Sequence, residues 1–190
     1  RHDLFVIEDA AHAIPSWYKN KKIGTYSDMT CFSFYATKTM TTGEGGMVTT
    51  ANREWASRIR LMRLHGIDRD SWHREGKKRG WFYEVLRPGF KYNITDMQAA
   101  LGIAQLKKLK SMWKKRADIA KRYNDSFKNI EEIIVPYMED DRKTSWHLYA
   151  VKIRPELLKI DRDAFIDKLE KMGIATGVHF IPLYRHPFYR

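Results

Sequence analysis

The sequence predicts an α/β domain followed by a smaller α+β unit. Two patterns point to this. β-prone runs alternate with helical patterns through the first part of the chain. The second part holds three short strand patterns, paired as hairpins, and one helix. Such alternation argues for helices packed on a sheet. The change falls near residues 115–130, inside one long helical pattern. Residues 1–118 are therefore assigned to the α/β part and 119–190 to the start of the α+β part.

The elements follow in order. Leu4-Phe5-Val6-Ile7 is an apolar run that predicts a buried strand over 4–8, ending at Glu8-Asp9. A small-residue segment, Ala10–Ala13, is stopped by Pro15. Trp17 to Gly24 reads as a strand, an Asn-Lys turn and a return. Residues 30–35 and 46–50 read as further strands. Asn52 suits an N-cap, and Arg53 to Leu64 has helical spacing. Residues 65–93 carry few periodic signals and read as one long excursion. Thr95 and Gln98 form a capping-box pattern that opens a helix to about Phe127. Ile133–Val135 and Trp146–Val151 predict strands. Asp161 or Asp163 caps a helix to about Met172, Gly173 ends it, and residues 174–181 predict a last strand.

Composition narrows the class. The 190 residues are 43% hydrophobic and 31% charged, which fits a globular chain rather than a disordered one. No apolar run is long enough to span a membrane. The first residues do not form a signal peptide. A strand that begins almost at residue 1 suggests a piece of a longer protein. The single cysteine, Cys31, rules out a disulfide within this chain and a cysteine-rich metal site, and it fits a reducing cytoplasm. Lys and Arg exceed Asp and Glu by 35 to 23, a net charge of +12, which suits phosphate-bearing partners. The densest basic cluster is Arg74–Arg79, flanked by Trp72, Trp81, Phe82 and Tyr83. Such a cluster can bind single-stranded nucleic acid, but a solvated loop is the commoner case.

Four residues carry the chemistry. Lys38 follows an aromatic strand and precedes the corner Thr42-Gly43-Glu44-Gly45-Gly46, so a rigid turn holds its amine. A buried lysine can lose its proton and attack carbonyls. Asp9 ends a strand, where α/β folds place ligand-contacting groups. His12 follows three residues later, and Ser33 lies five residues before Lys38. Each has a plainer alternative: Asp9 as a cap, His12 as a core histidine, Ser33 as packing. Together they suit pyridoxal phosphate (PLP), whose chemistry needs a lysine for its aldehyde, a carboxylate beside its pyridinium nitrogen and donors for its phosphate. No metal site is predicted.

Six segments, in order and with compatible spacing, resemble the DegT/DnrJ-type sugar aminotransferases. They are Ile7–Ala13, Phe32–Lys38, Thr42–Val48, Leu64–Ile67, Tyr92–Gly102 and His179–Leu183. The resemblance implies the type I PLP-transferase fold, with residues 1–118 as the C-terminal part of the large PLP-binding domain. It implies a homodimer that moves an amino group, usually from glutamate, to a keto group of a nucleotide-linked sugar. By position, Lys38 would bond the cofactor, Asp9 would pair with its ring nitrogen, and His12 would lie against the ring or reach its phenolic oxygen. Ser33 would hold the phosphate, and Asn93 would reach the phosphate of the neighbouring subunit's cofactor. Asn93 also suits a plain turn before the Thr95 helix. His147 and His179 are candidates to touch the sugar or the donor. Lys38 argues against the dehydratase branch of the family, which carries histidine there. Pro15 departs from the glycine the pattern leads one to expect. Family members run to about twice this length, and their front half supplies further phosphate donors. The rival readings are a PLP enzyme acting on a cyclitol or amino-carbocycle, and a non-catalytic relative that binds nucleic acid through residues 72–83.

Overall fold

The computed structural model describes residues 2–68 and 83–190. In chain order the strands are β1 (Ile7–Asp9), β2 (Trp17–Tyr18), β3 (Lys21–Lys22), β4 (Met29–Ser33) and β5 (Gly46–Thr49). They continue with β6 (Ile67–Asp68), β7 (Glu84–Val85), β8 (Ile133–Ile134), β9 (Arg142–Lys143) and β10 (Lys152–Ile153). The helices are α1 (Arg53–Met62), α2 (Asp96–Phe127) and α3 (Arg162–Lys171). The chain divides into two compact units: Arg1–Lys121 with Met138–Tyr149, and Arg122–Tyr137 with Ala150–Arg190.

The first unit is built on the sheet β1-β4-β5. β1 runs parallel to β4, with Asp9 opposite Cys31, and β5 returns antiparallel, with Cys31 opposite Val48. A second small sheet, β3-β2-β9, joins the early hairpin to a strand more than a hundred residues later. The hairpin turns at Lys19 and Asn20, whose φ values of 44° and 65° give the twist a two-residue β-turn needs. Burial concentrates around β4 and the turn after it: Thr30, Phe34, Thr39, Met40 and Thr42 are all buried. Ala10 and Ala120 are buried as well.

The helix starts behave as their sequences predict. Asn52 Oδ1 accepts from the Trp55 amide at 3.1 Å. At α2 both arms of the capping box form. Thr95 Oγ1 accepts from the Gln98 amide at 3.3 Å, and Gln98 Oε1 accepts from the Thr95 amide at 3.0 Å. Of the two candidates for α3, Asp161 is the cap, accepting from the Ala164 amide at 2.8 Å.

Several expectations are corrected. The first strand starts at Ile7 rather than at residue 4, and it is not buried: Leu4 and Phe5 are 77% and 75% exposed. Among the described residues β1 pairs with β4 alone, and no second strand covers the run before it. The excursion over 65–93 contains a ladder, because β6 and β7 pair antiparallel at its two ends. Gly66, at φ 68°, makes this possible. A Cβ there would stand 1.8 Å from the Arg87 carbonyl oxygen. Residues 146–151 form no strand. Trp146 takes a left-handed φ of 51°, which breaks the extended alternation before the short β10. Residues 174–181 also form no strand. They are exposed, and the second unit's ladder is formed by β8 and β10. A β-prone run becomes a strand only where a neighbour offers hydrogen bonds. β9 was not anticipated, because Arg142-Lys143 is too polar to stand out. The Arg74–Arg79 cluster, with Trp72, Trp81 and Phe82, lies outside the described residues.

Candidate active site

The parallel pairing of β1 and β4 sets the geometry. Asp9 is the last residue of β1 and lies opposite Cys31, so Ser33, the last residue of β4, stands two positions further along the neighbouring strand. A carboxylate and a hydroxyl therefore occupy adjacent ends of parallel strands, the side of an α/β sheet where ligands bind. Asp9 Oδ1 accepts from the Ala11 amide at 3.0 Å. The capping alternative is thus realised through one carboxylate oxygen, and the side chain is otherwise exposed. Ser33 Oγ accepts from the Tyr35 amide at 3.3 Å and is half-buried.

Lys38 lies on the turn between β4 and β5. Its amide donates to the Tyr35 carbonyl at 3.0 Å. Around it the turn is anchored several times. The Thr42 amide and Thr41 Oγ1 both donate to the Phe34 carbonyl, at 2.9 and 3.1 Å. The Phe34 amide donates to the Gly45 carbonyl at 2.8 Å, and Thr39 Oγ1 donates to the Ile14 carbonyl. Lys38 itself is half-buried, next to buried Thr39 and Met40. A lysine on so constrained a backbone has its reach fixed before any ligand arrives.

His12 follows β1 and is exposed, so it is not the core histidine of the plainer alternative. Its ring lies 4.4 Å, centroid to centroid, from that of His147 at an interplanar angle of 57°. The structure thus joins His147, from the far end of the first unit's sequence, to the Asp9–His12 segment. Asn93 precedes α2, where Gln98 Nε2 donates to the Glu44 carbonyl at 3.0 Å and so ties the helix start to the glycine-rich corner. Asn93 itself bonds locally, accepting from Lys91 Nζ and donating to the Ile94 carbonyl at 3.4 Å. His179 belongs to the second unit and is exposed, with its ring stacked on Phe180 at 3.6 Å. The glycines of the corner serve the backbone: Gly43 sits at φ 79°, and a Cβ on Gly46 would stand 2.9 Å from the Phe32 carbonyl oxygen.

An amine on an anchored turn, a carboxylate at one strand end and a hydroxyl at the next form a donor set that fits PLP. The whole chain, residues 1–190, matches the model of the DegT/DnrJ/EryC1/StrS aminotransferase family. The chain belongs to that family. It is similar to the uncharacterised protein MJ1066 of Methanocaldococcus jannaschii, 56% identical over 189 residues. It is also similar to the spore coat polysaccharide biosynthesis protein SpsC of Bacillus subtilis, 46% identical over 190 residues. Each match takes in 100% of this chain and 49% of the relative. Among solved structures, it resembles Helicobacter pylori PseC, an aminotransferase involved in the biosynthesis of pseudoaminic acid. The TM-score is 0.86 and the identity 33%, covering 99% of this chain and 48% of that one. It also resembles Spr1654 of Streptococcus pneumoniae in its PLP form. Here the TM-score is 0.83 and the identity 34%, covering 97% and 46% of the two chains. The chain therefore spans about half the length of the family members it matches, and its architecture is the corresponding part of the type I PLP-transferase fold.

One residue of this family member's site region escaped the sequence reading. Ser145 sits in Lys143-Thr144-Ser145-Trp146-His147 with no pattern around it that marks it. Only the fold shows that it is 1% exposed and that its hydroxyl donates to the His12 carbonyl.

Proposed function

We propose that the complete protein is a PLP-dependent aminotransferase that moves an amino group, from glutamate, onto a keto group of a nucleotide-linked sugar. The observation that carries this reading is the strand-end pair Asp9 and Ser33 beside the anchored Lys38 turn. Family membership and the sugar-pathway relatives support the substrate class. The net charge of +12 favours a substrate that carries a diphosphate. The protein acts as a homodimer in the cytoplasm, in surface-polysaccharide or deoxyamino-sugar synthesis. Among the described residues, no helix is long and apolar enough to cross a membrane.

When bound, PLP supplies an aldehyde that carries the amino group and a ring that accepts electrons from the reacting carbon. The chain's residues do the rest. Lys38 Nζ would hold the cofactor through its aldehyde and would move a proton at the reacting carbon. Asp9, as a carboxylate, holds a proton on the ring nitrogen by charge and hydrogen bonding. Its Oδ1 already accepts from the Ala11 amide. Ser33 donates to the phosphate, and His12 packs on the ring. Asn93 reaches the phosphate bound by the second subunit. His147 and His179 contact the sugar or the donor.

The test is borohydride trapping of the complete protein with PLP, followed by peptide mapping. A stable cofactor adduct is expected on the peptide carrying Lys38, and none is expected in Lys38→Ala. An adduct on the same peptide in the variant, or none in the parent, removes Lys38 from the mechanism.

A further inference from the structure

Ser145, 1% exposed, is a buried side chain that none of the proposed chemistry uses, and it stands at the crossing of three segments. Its hydroxyl donates to the carbonyl of His12 and accepts from the amide of His147 at 3.3 Å. Its own amide donates to Ser16 Oγ at 3.0 Å. One hydroxyl therefore joins the backbones of the two histidines whose rings lie 4.4 Å apart. The residues on either side of it are held as well, both from α2. Trp113 Nε1 donates to the Thr144 carbonyl at 2.8 Å, and Arg116 Nη1 donates to the Trp146 carbonyl at 3.3 Å. The short strap 144–146 is thus fixed to the helix at both ends, and its central hydroxyl reaches across to the turn after β1. A serine is the smallest side chain that can donate and accept at once. At 1% exposure, no bulk water stands by to replace either bond.

We propose that Ser145 is a positioning residue: its hydroxyl sets the spacing and tilt of the His12–His147 pair, and through His12 the packing of the cofactor ring. The second half of this statement rests on the function proposed above, and the first half does not. Ser145 need not touch cofactor or substrate. It acts by denying the two histidine backbones any other arrangement. The Lys38 turn also has an anchor outside the segment that Ser145 holds, since Thr41 Oγ1 donates to the Phe34 carbonyl.

The experiment uses the complete protein with isotope-labelled histidine. Its ring resonances are assigned by His12→Asn and His147→Asn, and spectra are read first without cofactor. Ser145→Ala is expected to fold, to shift the His12 and His147 ring resonances and leave other histidines in place. In a PLP titration it is expected to bind roughly tenfold more weakly, the effect of about one lost buried hydrogen bond. Ser145→Thr keeps the hydroxyl and should bring both readouts back towards the parent. Parental ring resonances in a folded Ser145→Ala overturn the proposal, as does a Ser145→Thr that fails to restore them. An unfolded Ser145→Ala also overturns it, because the hydroxyl would then hold the chain together rather than place the pair. If the shifts move but PLP affinity does not, the link through His12 to the ring is lost and the pairing stands. If the parent itself takes up no PLP, the proposed function fails while the ring resonances still decide the case of Ser145.

Discussion

Thr42 packs its methyl group onto Gly102 of α2, so close that a Cβ on the glycine would stand 3.0 Å from Thr42 Cγ2. Thr42 cannot easily yield. It is 4% exposed, its amide donates to Phe34 and its Oγ1 donates to the Glu44 carbonyl at 2.7 Å. Gly102 is what lets the long helix lie against the turn that presents Lys38. Gly102→Ala gains up to about 1 kcal/mol of helix propensity. Overpacking against an anchored neighbour costs about 1–3 kcal/mol. A net loss of stability is expected, larger for Gly102→Val, measured by urea unfolding of the complete protein. A stabilised Gly102→Ala would show that this contact has slack.

This contact illustrates what the sequence could and could not disclose. The glycine is visible in Ala99-Ala100-Leu101-Gly102, but nothing local says what approaches it. Local signals were read well: the Asn52 cap, the Thr95–Gln98 box and the glycine stop at Gly173 depend on neighbours a few residues away. The placement of Asp9 and Ser33 at strand ends and of Lys38 on the turn after β4 is legible because such positions are local too. Failures came where a distant partner decides. Residues 174–181 have strand composition but no ladder. Arg142 and Lys143 lack strand composition yet pair with Tyr18 and Trp17. Ser145 owes its burial to segments 129 and 133 positions away, which no window on the chain contains.

Asp9→Asn separates the carboxylate's two duties. Asn retains an oxygen to accept from the Ala11 amide, so the turn after β1 should survive with little change in melting temperature. What it loses is the negative charge. Without it the ring nitrogen is no longer held protonated, and turnover should fall by about a hundredfold or more, the scale of a lost charge-stabilising group. Steady-state rates beside a thermal melt decide this. Parental turnover would remove Asp9 from the cofactor's ring nitrogen.

Asp161→Ala tests the second unit by itself. The carboxylate accepts from the Ala164 amide at 2.8 Å. Loss of an N-cap costs about 1 kcal/mol. Faster amide exchange is expected across the first turn of α3, at Ala164 and Phe165, with the amides of β4 unchanged. Equal protection in variant and parent would mean that packing, rather than the cap, holds the helix start.

Thr30→Val tests the polar cluster inside the sheet. Thr30 is fully buried, and its hydroxyl donates to Glu8 Oε2 at 3.2 Å while lying 2.8 Å from Ser27 Oγ. Ser27 Oγ also reaches Glu8 Oε2, at 3.1 Å. Valine fills the same volume but withdraws one of the two hydroxyls that solvate the half-buried carboxylate. Leaving a buried polar group short of a partner costs about 1–3 kcal/mol. The loss should appear in urea unfolding, whereas Thr30→Ser, which keeps the donor and removes a methyl, should lose only the packing part. The sign of the difference between the two variants is the decisive reading. If valine were the milder change, the hydroxyl would contribute less than the methyl, and β1 and β4 would be held at this point by shape alone. Because β1 carries Asp9 and β4 carries Ser33, a weakened cluster should also loosen the register between them. Exchange of the Cys31 carbonyl's partner, the Ala10 amide, reports that directly.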